Sequence, residues 1–359
     1  MDIFEEWRSG GSEIHWPSST AANSGTQVKV FSRRCGTPGG PALVCVHGFP
    51  TSSIDYFSLT RELGSEFEIF LLDFPGYGFS DKPPSPYRYS LYDDARLLLH
   101  AITRVWMLER YMMLTHDRGS SVGMIALSML AAEGPSSSPS EVILTNANIY
   151  LPLANLTAFQ TALLDSTTAR DAARATTPET LAAGLGATTF MPPRTLADPE
   201  IAALAKCFAY NDGIRVLPDT IQYLHERATH ETSWLEAISK NETNVALAWG
   251  LHDNVAPVRV ANYVWQAFLE TNRDRTVTGS CQAPLTTFNA MPRRSWRRSS
   301  GSQRRVTIFR FRHSGTVRTV RFWWTRGATA AVDPATFPVY PRVTSRQFAS
   351  FRAIKLSTG

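Results

Sequence analysis

The segment spanning residues 114–123 places an acidic side chain between an apolar run and a helix-favouring run. It reads Leu-Thr-His-Asp-Arg-Gly-Ser-Ser-Val-Gly, with Gly119 two residues after Asp117 and further small residues beyond. This order is typical of a nucleophile elbow, a sharp strand–turn–helix bend that exposes one side chain. The carboxylate of Asp117 would attack there and form an ester, and the helix N-terminus would stabilise its charge. The alternative is an ordinary helix N-cap, which aspartate also favours.

Two further loops carry residues that suit the same chemistry. The loop His-Gly-Phe-Pro-Thr-Ser-Ser at residues 47–53 offers the backbone N–H of Phe49 to a reacting oxygen, and the N–H of Arg118 would be the second donor of an oxyanion hole. Asp253 follows another apolar run and is placed to orient a catalytic histidine. Taken alone, the first loop could be a plain turn, and Asp253 could cap the next helix.

Alternating apolar and amphipathic segments indicate the elements that position these loops. Buried strands are expected at residues 42–46, 67–72, 111–114, 142–144 and 245–249, and helices at 56–64, 89–108 and 122–132. This alternation predicts a doubly covered, mostly parallel α/β sheet, whose ligands bind at the C-terminal ends of the strands. Residues 1–25 look irregular, residues 27–31 resemble an edge strand, and the mostly helical residues 149–235 suggest an inserted lid.

The motifs together resemble the α/β-hydrolase superfamily. They are HGFPTSSIDYF, LDFPGYGFSDKP, the HDRG elbow and WGLHDNVAP, supported in the lid by NDG at 211–213 and IQY at 221–223. Within the superfamily they resemble the epoxide hydrolase and haloalkane dehalogenase branch, and most of all its epoxide-hydrolase-like members. The resemblance implies a core formed by residues 25–148 and 236–270, with a helical cap at 149–235 between its two parts.

The resemblance also implies a two-step reaction without a cofactor or metal. Asp117 would open an epoxide, or displace a halide, and a water activated by a histidine that Asp253 holds would hydrolyse the resulting ester. Lid tyrosines donate to the epoxide oxygen in such enzymes; Tyr223 is the best positioned candidate here and Tyr210 a weaker one. Each could equally serve lid packing. His116, beside the nucleophile, is a candidate substrate contact.

The expected catalytic histidine is not at the family's usual distance after the last acid. The first histidine after His252 is His313, 60 residues beyond Asp253, in surroundings unlike the family's histidine loop. The break coincides with a charge reversal, because residues 271–359 carry 17 basic and two acidic residues, whereas residues 1–270 carry 19 and 29. We expect this basic tail to be disordered or frame-shifted, and the last strand and helix of the sheet to be missing. The rival interpretation is a non-catalytic relative that serves binding.

Composition limits the remaining possibilities. The chain is 43% hydrophobic and 19% charged, typical of a globular protein, and it has no apolar run approaching the ~20 residues of a membrane span. The acidic N-terminus lacks the order of a signal peptide and the four cysteines show no metal-ligand spacing, which favours the cytoplasm, with membrane association as an alternative. Arginine and aromatic residues alternate in the tail, but no recognised motif organises them, so no nucleic-acid partner is expected.

The residues beside the nucleophile favour one substrate class. Haloalkane dehalogenases usually have tryptophan after the nucleophile, where this chain has Arg118, and asparagine or tryptophan where it has Phe49. Fluoroacetate dehalogenases do have an arginine after the nucleophile, as this chain has Arg118. They need a second arginine four residues past the nucleophile to bind a carboxylate, and this chain has Ser121 there. A small apolar epoxide or ester is therefore the expected substrate, with water as the second reactant; a dehalogenase is the further alternative.

Overall fold

A single twisted sheet forms the centre of the molecule. The computed structural model describes residues 2–133, 137–190, 192–270, 276–281, 304–313 and 316–324. Within them the main sheet has eight strands in the order β1-β2-β4-β3-β5-β6-β7-β8. In chain order these are β1 Gly11–Pro17, β2 Gln27–Gly36, β3 Ala42–Val46, β4 Glu68–Leu72, β5 Arg110–His116, β6 Ser138–Thr145, β7 Asn244–Gly250 and β8 Thr276–Cys281.

From β4 to β8 every neighbouring pair of strands is parallel. Their apolar runs are buried; Val44, Met113 and Val142, for example, are fully covered, as expected for strands packed on both faces. The C-terminal ends of β3, β5, β6 and β7 therefore lie side by side at one edge, where a parallel sheet binds its ligands. The α/β fold expected from the sequence, a mostly parallel sheet with helices on both faces, is confirmed.

The N-terminal residues are ordered, contrary to the expectation that residues 1–25 are irregular. They form α1 (Ile3–Ser9) and β1, which pairs antiparallel with β2. Strand β2 is thus an inner strand and not the edge. The alternation of β1 buries Ile14 and Trp16 on one face, and Trp7 of α1 donates a hydrogen bond to Ser53 at 3.0 Å. The sequence signal for β1 was only a short alternation of apolar and polar residues, flanked by polar residues.

Eleven α-helices are present in the described residues. They are α1, then α2 Phe57–Leu63, α3 Leu91–His100, α4 Arg118–Glu133, α5 Ala158–Leu164, α6 Ala169–Arg174, α7 Pro178–Thr189, α8 Pro199–Ala209, α9 Leu217–Thr220, α10 Tyr223–Lys240 and α11 Val258–Val264. Helix α4 packs against β3, β5 and β6, between α3 and α10. Its buried side chains, among them Val122 and Ile125, place the start of α4 at the centre of the sheet edge.

Six of these helices, α5 to α10, lie between β6 and β7 and are called the inserted helices below. Local signals define their starts: Thr157 and Gln160 form a reciprocal capping box at α5, and Asp198 caps α8. The last one, α10, returns along α4 to the sheet. In the described part of the chain, every helix is too short or too polar to cross a membrane.

The sheet has its last strand, so the expectation that this strand is missing is wrong. Strand β8 pairs in parallel with β7 from Val245 opposite Thr276 to Gly250 opposite Cys281. The β-branched Thr276, Val277 and Thr278 suit a strand, a signal that the charge reversal of the tail obscured. Residues 282–303, which follow β8, lie outside the described residues, so the absence of the last helix stays a prediction. Strands β9 Arg304–His313 and β10 Thr316–Trp324 form a separate antiparallel pair, and the rest of the tail lies outside the described residues.

Candidate active site

The bend after β5 presents Asp117 at the start of α4. Strand β5 ends at His116, α4 begins at Arg118, and Asp117 between them has a φ of 47°, in the left-handed region that non-glycine residues rarely adopt. A Cβ on Gly119 would lie 2.4 Å from the carbonyl oxygen of Val46, so only glycine lets α4 approach β3 this closely. Asp117 is thus held in a strained, half-exposed position, an arrangement that clusters at functional sites.

One carboxylate oxygen of Asp117 already occupies the expected oxyanion position. The backbone N–H of Phe49 donates to Oδ2 at 3.0 Å. Arg118 is the first residue of α4, and such residues have backbone N–H groups without an intrahelical acceptor. Among the described residues none donates a hydrogen bond to Oδ1, which leaves that oxygen available for attack. A Cβ on Gly48 would lie 2.8 Å from the Cβ of Asp117, so the two loops meet with no space for a larger residue.

His47 fixes the loop that carries Phe49. Its Nδ1–H donates to the carbonyl oxygen of Gly48 at 2.9 Å, and its Nε2 accepts the backbone N–H of Phe74 at 3.0 Å. The ring is fully buried, and this burial lowers the pKa of His47 to about 3. His47 is therefore neutral at physiological pH with both nitrogens engaged, which makes it a positioning group and not a base.

Asp253 lies in the loop after β7 and is held by three donors. Its Oδ1 accepts the backbone N–H groups of Val255 at 2.7 Å and Ala256 at 2.8 Å, and its Oδ2 accepts the side-chain amide of Asn146 at 2.6 Å. The buried Asn146 directly follows β6, and its Oδ1 accepts the N–H of Gly250 at 2.8 Å. This network joins the ends of β6 and β7 and fixes the Asp253 carboxylate in one orientation.

A cavity of about 500 Å³ opens beside Asp253. The described residues that line it include Asp253 but not Asp117, so the cavity adjoins the second acid and not the elbow. Its walls come from the loop after β7 and from the segment between β6 and β7, and the residues include His252, Asp253, Arg259, Asn155, Thr188 and Phe190. The cavity therefore lies between the inserted helices and the loop that carries Asp253.

Tyr223, at the start of α10, lies close to the nucleophile. Its ring centroid is 5.9 Å from that of Phe49, and the ring is almost completely buried. The hydroxyl has no hydrogen-bond partner among the described residues. Burial raises the pKa of Tyr223, and the charge of Asp117 raises it further. The phenol thus remains protonated and has a free donor beside Asp117.

The side chain of Arg118 is buried beside the ring of Tyr223. One guanidinium nitrogen forms an ion pair with Asp94 of α3, and the group lies 5.1 Å from the ring of Tyr77 and 5.5 Å from that of Tyr223. Desolvation raises the pKa of Asp94 to about 6 although the Arg118 charge opposes this shift. The side chain thus adds a buried positive charge below the elbow, in addition to the backbone donor expected from the sequence.

The remaining candidate residues lie elsewhere. Tyr210 packs against Phe4 and Phe79, with ring centroids 6.2 and 5.3 Å apart, in a cluster beside α1. His116 is half-buried at the end of β5, and its Nδ1 lies 3.3 Å from the hydroxyl of Thr145. His313 is the last residue of β9, and the position of its side chain lies outside what the structure describes. Its assignment as the base remains a prediction.

The structure adds three residues that sequence reasoning did not single out. Asn146 directly follows β6 and Asn148 comes two residues later, where the rule for strand ends could have indicated them. Arg227 follows Tyr223 by four residues and so shares its face of α10, and its Nε donates to the hydroxyl of Ser121 at 3.0 Å. Within the described residues, no group of three or more histidine, cysteine or carboxylate side chains is placed to bind a metal ion.

Fold and site together define the class of the protein. The family described as "alpha/beta hydrolase fold" matches residues 41–281, and the chain belongs to it. The protein LipZ of Mycobacterium tuberculosis is 32% identical over 260 residues, covering 72% of this chain and 84% of LipZ. The mesoderm-specific transcript protein of Mus musculus is 26% identical over 266 residues, covering 67% of this chain and 73% of its own. These relatives confirm the resemblance deduced from the motifs.

Solved structures show the same fold. A candidate epoxide hydrolase from Pseudomonas aeruginosa superposes with a TM-score of 0.59 at 16% identity, covering 77% of this chain and 90% of the other. At this identity the match supports the architecture alone. The chain is thus an α/β-hydrolase, and its substrate has to be inferred from the site.

Proposed function

We propose that this protein is a hydrolase of the epoxide-hydrolase-like type that uses Asp117 as a nucleophile. The observation that carries the proposal is the Asp117 carboxylate on a left-handed bend, with Oδ2 held by the N–H of Phe49 at 3.0 Å. A helix N-cap accepts the N–H groups of its own helix, whereas this carboxylate accepts one from a different loop. The inserted helices act as a cap over the site, with Tyr223 contributed from α10.

In the first step, Oδ1 of Asp117 attacks an epoxide carbon and forms a C–O bond, and the bond from that carbon to the ring oxygen breaks. The ring oxygen takes the phenolic proton of Tyr223, whose hydroxyl is free to donate. In the second step, water adds to the carbonyl carbon of the ester. Negative charge then develops on Oδ2, where the N–H groups of Phe49 and Arg118 stabilise it. A base takes one proton from the attacking water; the intermediate then collapses, and the leaving oxygen takes the second proton of that water, which releases the diol. The base returns its proton to the phenolate of Tyr223.

The second candidate is a relative that forms the ester but does not hydrolyse it. Both oxygens of Asp253 are occupied by Asn146 and by two backbone N–H groups. Among the described residues no histidine hydrogen-bonds to this carboxylate. The chain would then keep a working nucleophile and lack its base, and a covalent adduct on Asp117 would accumulate.

Incubation with styrene oxide in H₂¹⁸O tests the proposal. A working hydrolase releases the diol and incorporates ¹⁸O into the Asp117 carboxylate, since the water oxygen enters the ester carbonyl. Mass spectrometry of the peptide containing Asp117 detects the label. An intact-protein mass increased by one styrene oxide, without diol, supports the second candidate.

The matched variant is Asp117→Asn, which keeps the shape of the side chain and removes the charge. We expect neither diol nor adduct with this variant. Diol formation that proceeds equally well in Asp117→Asn, or adduct formation at another residue only, would overturn the assignment of the nucleophile. Tyr223→Phe should slow adduct formation and leave hydrolysis of an existing ester unchanged.

A further inference from the structure

Two buried guanidinium groups lie on the same tyrosine ring next to the nucleophile. Arg118 lies 5.5 Å from the ring of Tyr223, and Arg227 lies 4.9 Å from it. Both arginines are at most 1% exposed. Because Arg118 directly follows Asp117 in the chain and Tyr223 also contacts Phe49, both positive charges lie close to the residues of the elbow.

Arg227 forms no direct ion pair with a carboxylate among the described residues, although its charge acts on the buried Glu231 one turn further along α10. Its Nε donates to Ser121 at 3.0 Å and its Nη1 to the backbone oxygen of Asn148 at 3.2 Å. Its Nη2 is buried without an acceptor, and among the described residues no carboxylate lies within 4.0 Å of the group. A buried charge without a counter-ion is costly and is normally paired.

Further unpartnered polar atoms surround this charge. Nε and Nη1 of Arg118 are buried without acceptors, although the same group forms an ion pair with Asp94 through its other terminal nitrogen. The hydroxyl of Tyr223 and the side-chain amide of the completely buried Asn148 are also unpartnered. Nearly all of these atoms are donors, so the group they are suited to bind is an acceptor with negative charge.

We propose that Arg118 and Arg227, with the side-chain amide of Asn148, bind the carboxylate of a small organic acid beside Asp117, while the hydroxyl of Tyr223 stays available to the ring oxygen. Planar guanidinium groups match a carboxylate in charge and shape. The two arginines also offset the repulsion between that carboxylate and Asp117. The inference rests on the proposed function only for the location of the reacting carbon, and it narrows the substrate from an apolar epoxide to one that bears an acid group.

Geometry also limits the size of the acid. The ring of Tyr223 is shared by both guanidinium groups and by Phe49, the residue whose N–H holds the nucleophile. A carboxylate bound at this ring therefore lies close to Oδ1 of Asp117. An acid whose epoxide carbon is directly attached to the carboxylate, such as oxirane-2-carboxylate, fits this requirement.

Binding is tested with an acid that cannot react. Cyclopropanecarboxylate has the shape of the epoxide acid, and cyclopropanecarboxamide is its neutral counterpart; both are titrated by calorimetry at low ionic strength. We expect saturable binding of the acid and at least about tenfold weaker binding of the amide, since hydrogen bonds to charged groups contribute more than neutral ones. Equal affinities for the two would overturn the proposal without any variant being needed.

Variants assign the binding to the two arginines. Arg227→Gln should weaken acid binding by about 10- to 100-fold and leave amide binding unchanged, and Arg227→Lys should restore part of the loss. The control is Arg170→Gln, which removes an exposed arginine that pairs with Asp219 on the inserted helices and should bind the acid as the unaltered protein does. Acid binding that is the same in Arg227→Gln refutes the assignment.

The two proposals fail in different ways. Asp117→Asn should still bind cyclopropanecarboxylate, and more tightly, because a negative charge beside the ligand is removed. If the acid binds but neither oxirane-2-carboxylate nor styrene oxide reacts, the proposed function fails and the carboxylate site stands. If styrene oxide reacts through Asp117 and the acid does not bind, the carboxylate site fails and the proposed function stands.

Discussion

Replacing Gly119 by alanine tests whether close packing of main chain on main chain builds the nucleophile elbow. A Cβ at this position would lie 2.4 Å from the carbonyl oxygen of Val46 and 2.6 Å from that of His47. Both atoms are backbone and neither can rotate away, so α4 has to move by about 1 Å to reach ordinary contact. Overpacking of this kind costs about 1–3 kcal/mol, and we expect the upper half of that range because the displaced groups end the central strand.

The assay is thermal unfolding followed by circular dichroism. A loss of about 2–3 kcal/mol lowers Tm by roughly 3–5 °C in a protein of this size. The matched control is Gly184→Ala in α7, where a new Cβ meets no atom within 4 Å. Alanine is favoured over glycine in a helix by about 1 kcal/mol, so this variant should unfold at the same temperature or a few degrees higher. A Gly119→Ala protein as stable as Gly184→Ala would refute the packing argument.

Three further substitutions address the groups around the elbow. In Gly48→Ala the new Cβ lies 2.8 Å from the Cβ of Asp117; the shifted carboxylate should lose its oxyanion contact, and hydrolysis of the ester, measured by mass spectrometry, should slow by roughly 10²–10³-fold. His47 stays neutral in the folded protein with a pKa of about 3, while the unfolded chain takes up a proton below pH 6.5. Folding stability should thus fall by about 1.4 kcal/mol per pH unit as the pH decreases from 6.5 towards 3, and urea unfolding of His47→Asn should lack this contribution. Asn146→Ala removes a donor at 2.6 Å from Asp253 and should cost about 1–3 kcal/mol, measured by the same unfolding assay.

The parts of the fold that the sequence predicted well are those encoded locally. Residues 42–46 are a continuous apolar run, and β3 has those bounds. The elbow follows from a short apolar run, one acid and a nearby glycine, all within ten residues. Helix α4 starts at Arg118, four residues before the expected start at 122. The expected start was late because the Ser and Gly residues of the first turn are weak helix signals, whereas the bend itself imposes the helix there.

The parts that could not be predicted depend on contacts between distant residues. Strand β1 is short and flanked by polar residues, and it exists because Ile14 and Trp16 pack on the sheet beside β2. Arg227 looks like an ordinary helix-face residue until α10 brings it to Ser121, 106 positions earlier in the chain. In the sequence, Ser121 stands where fluoroacetate dehalogenases have their second arginine. In the structure, Arg227 of the inserted helices contacts that serine.

The general base decides whether the protein hydrolyses its ester or accumulates it. Asp253 is held rigidly by three donors, which suits an acid that orients a histidine, yet His313 is the only histidine after it in the sequence. Imidazole added to the solution can supply a missing base, because its pKa lies near neutrality. If the protein lacks a base, diol release should rise with the concentration of neutral imidazole and with pH up to about 7, while adduct formation stays constant. If His313 is the base, imidazole should have no effect on the unaltered protein, and His313→Ala should accumulate the ester and regain turnover with imidazole. Rapid diol release in His313→Ala without imidazole would contradict both alternatives and would point to a base other than His313.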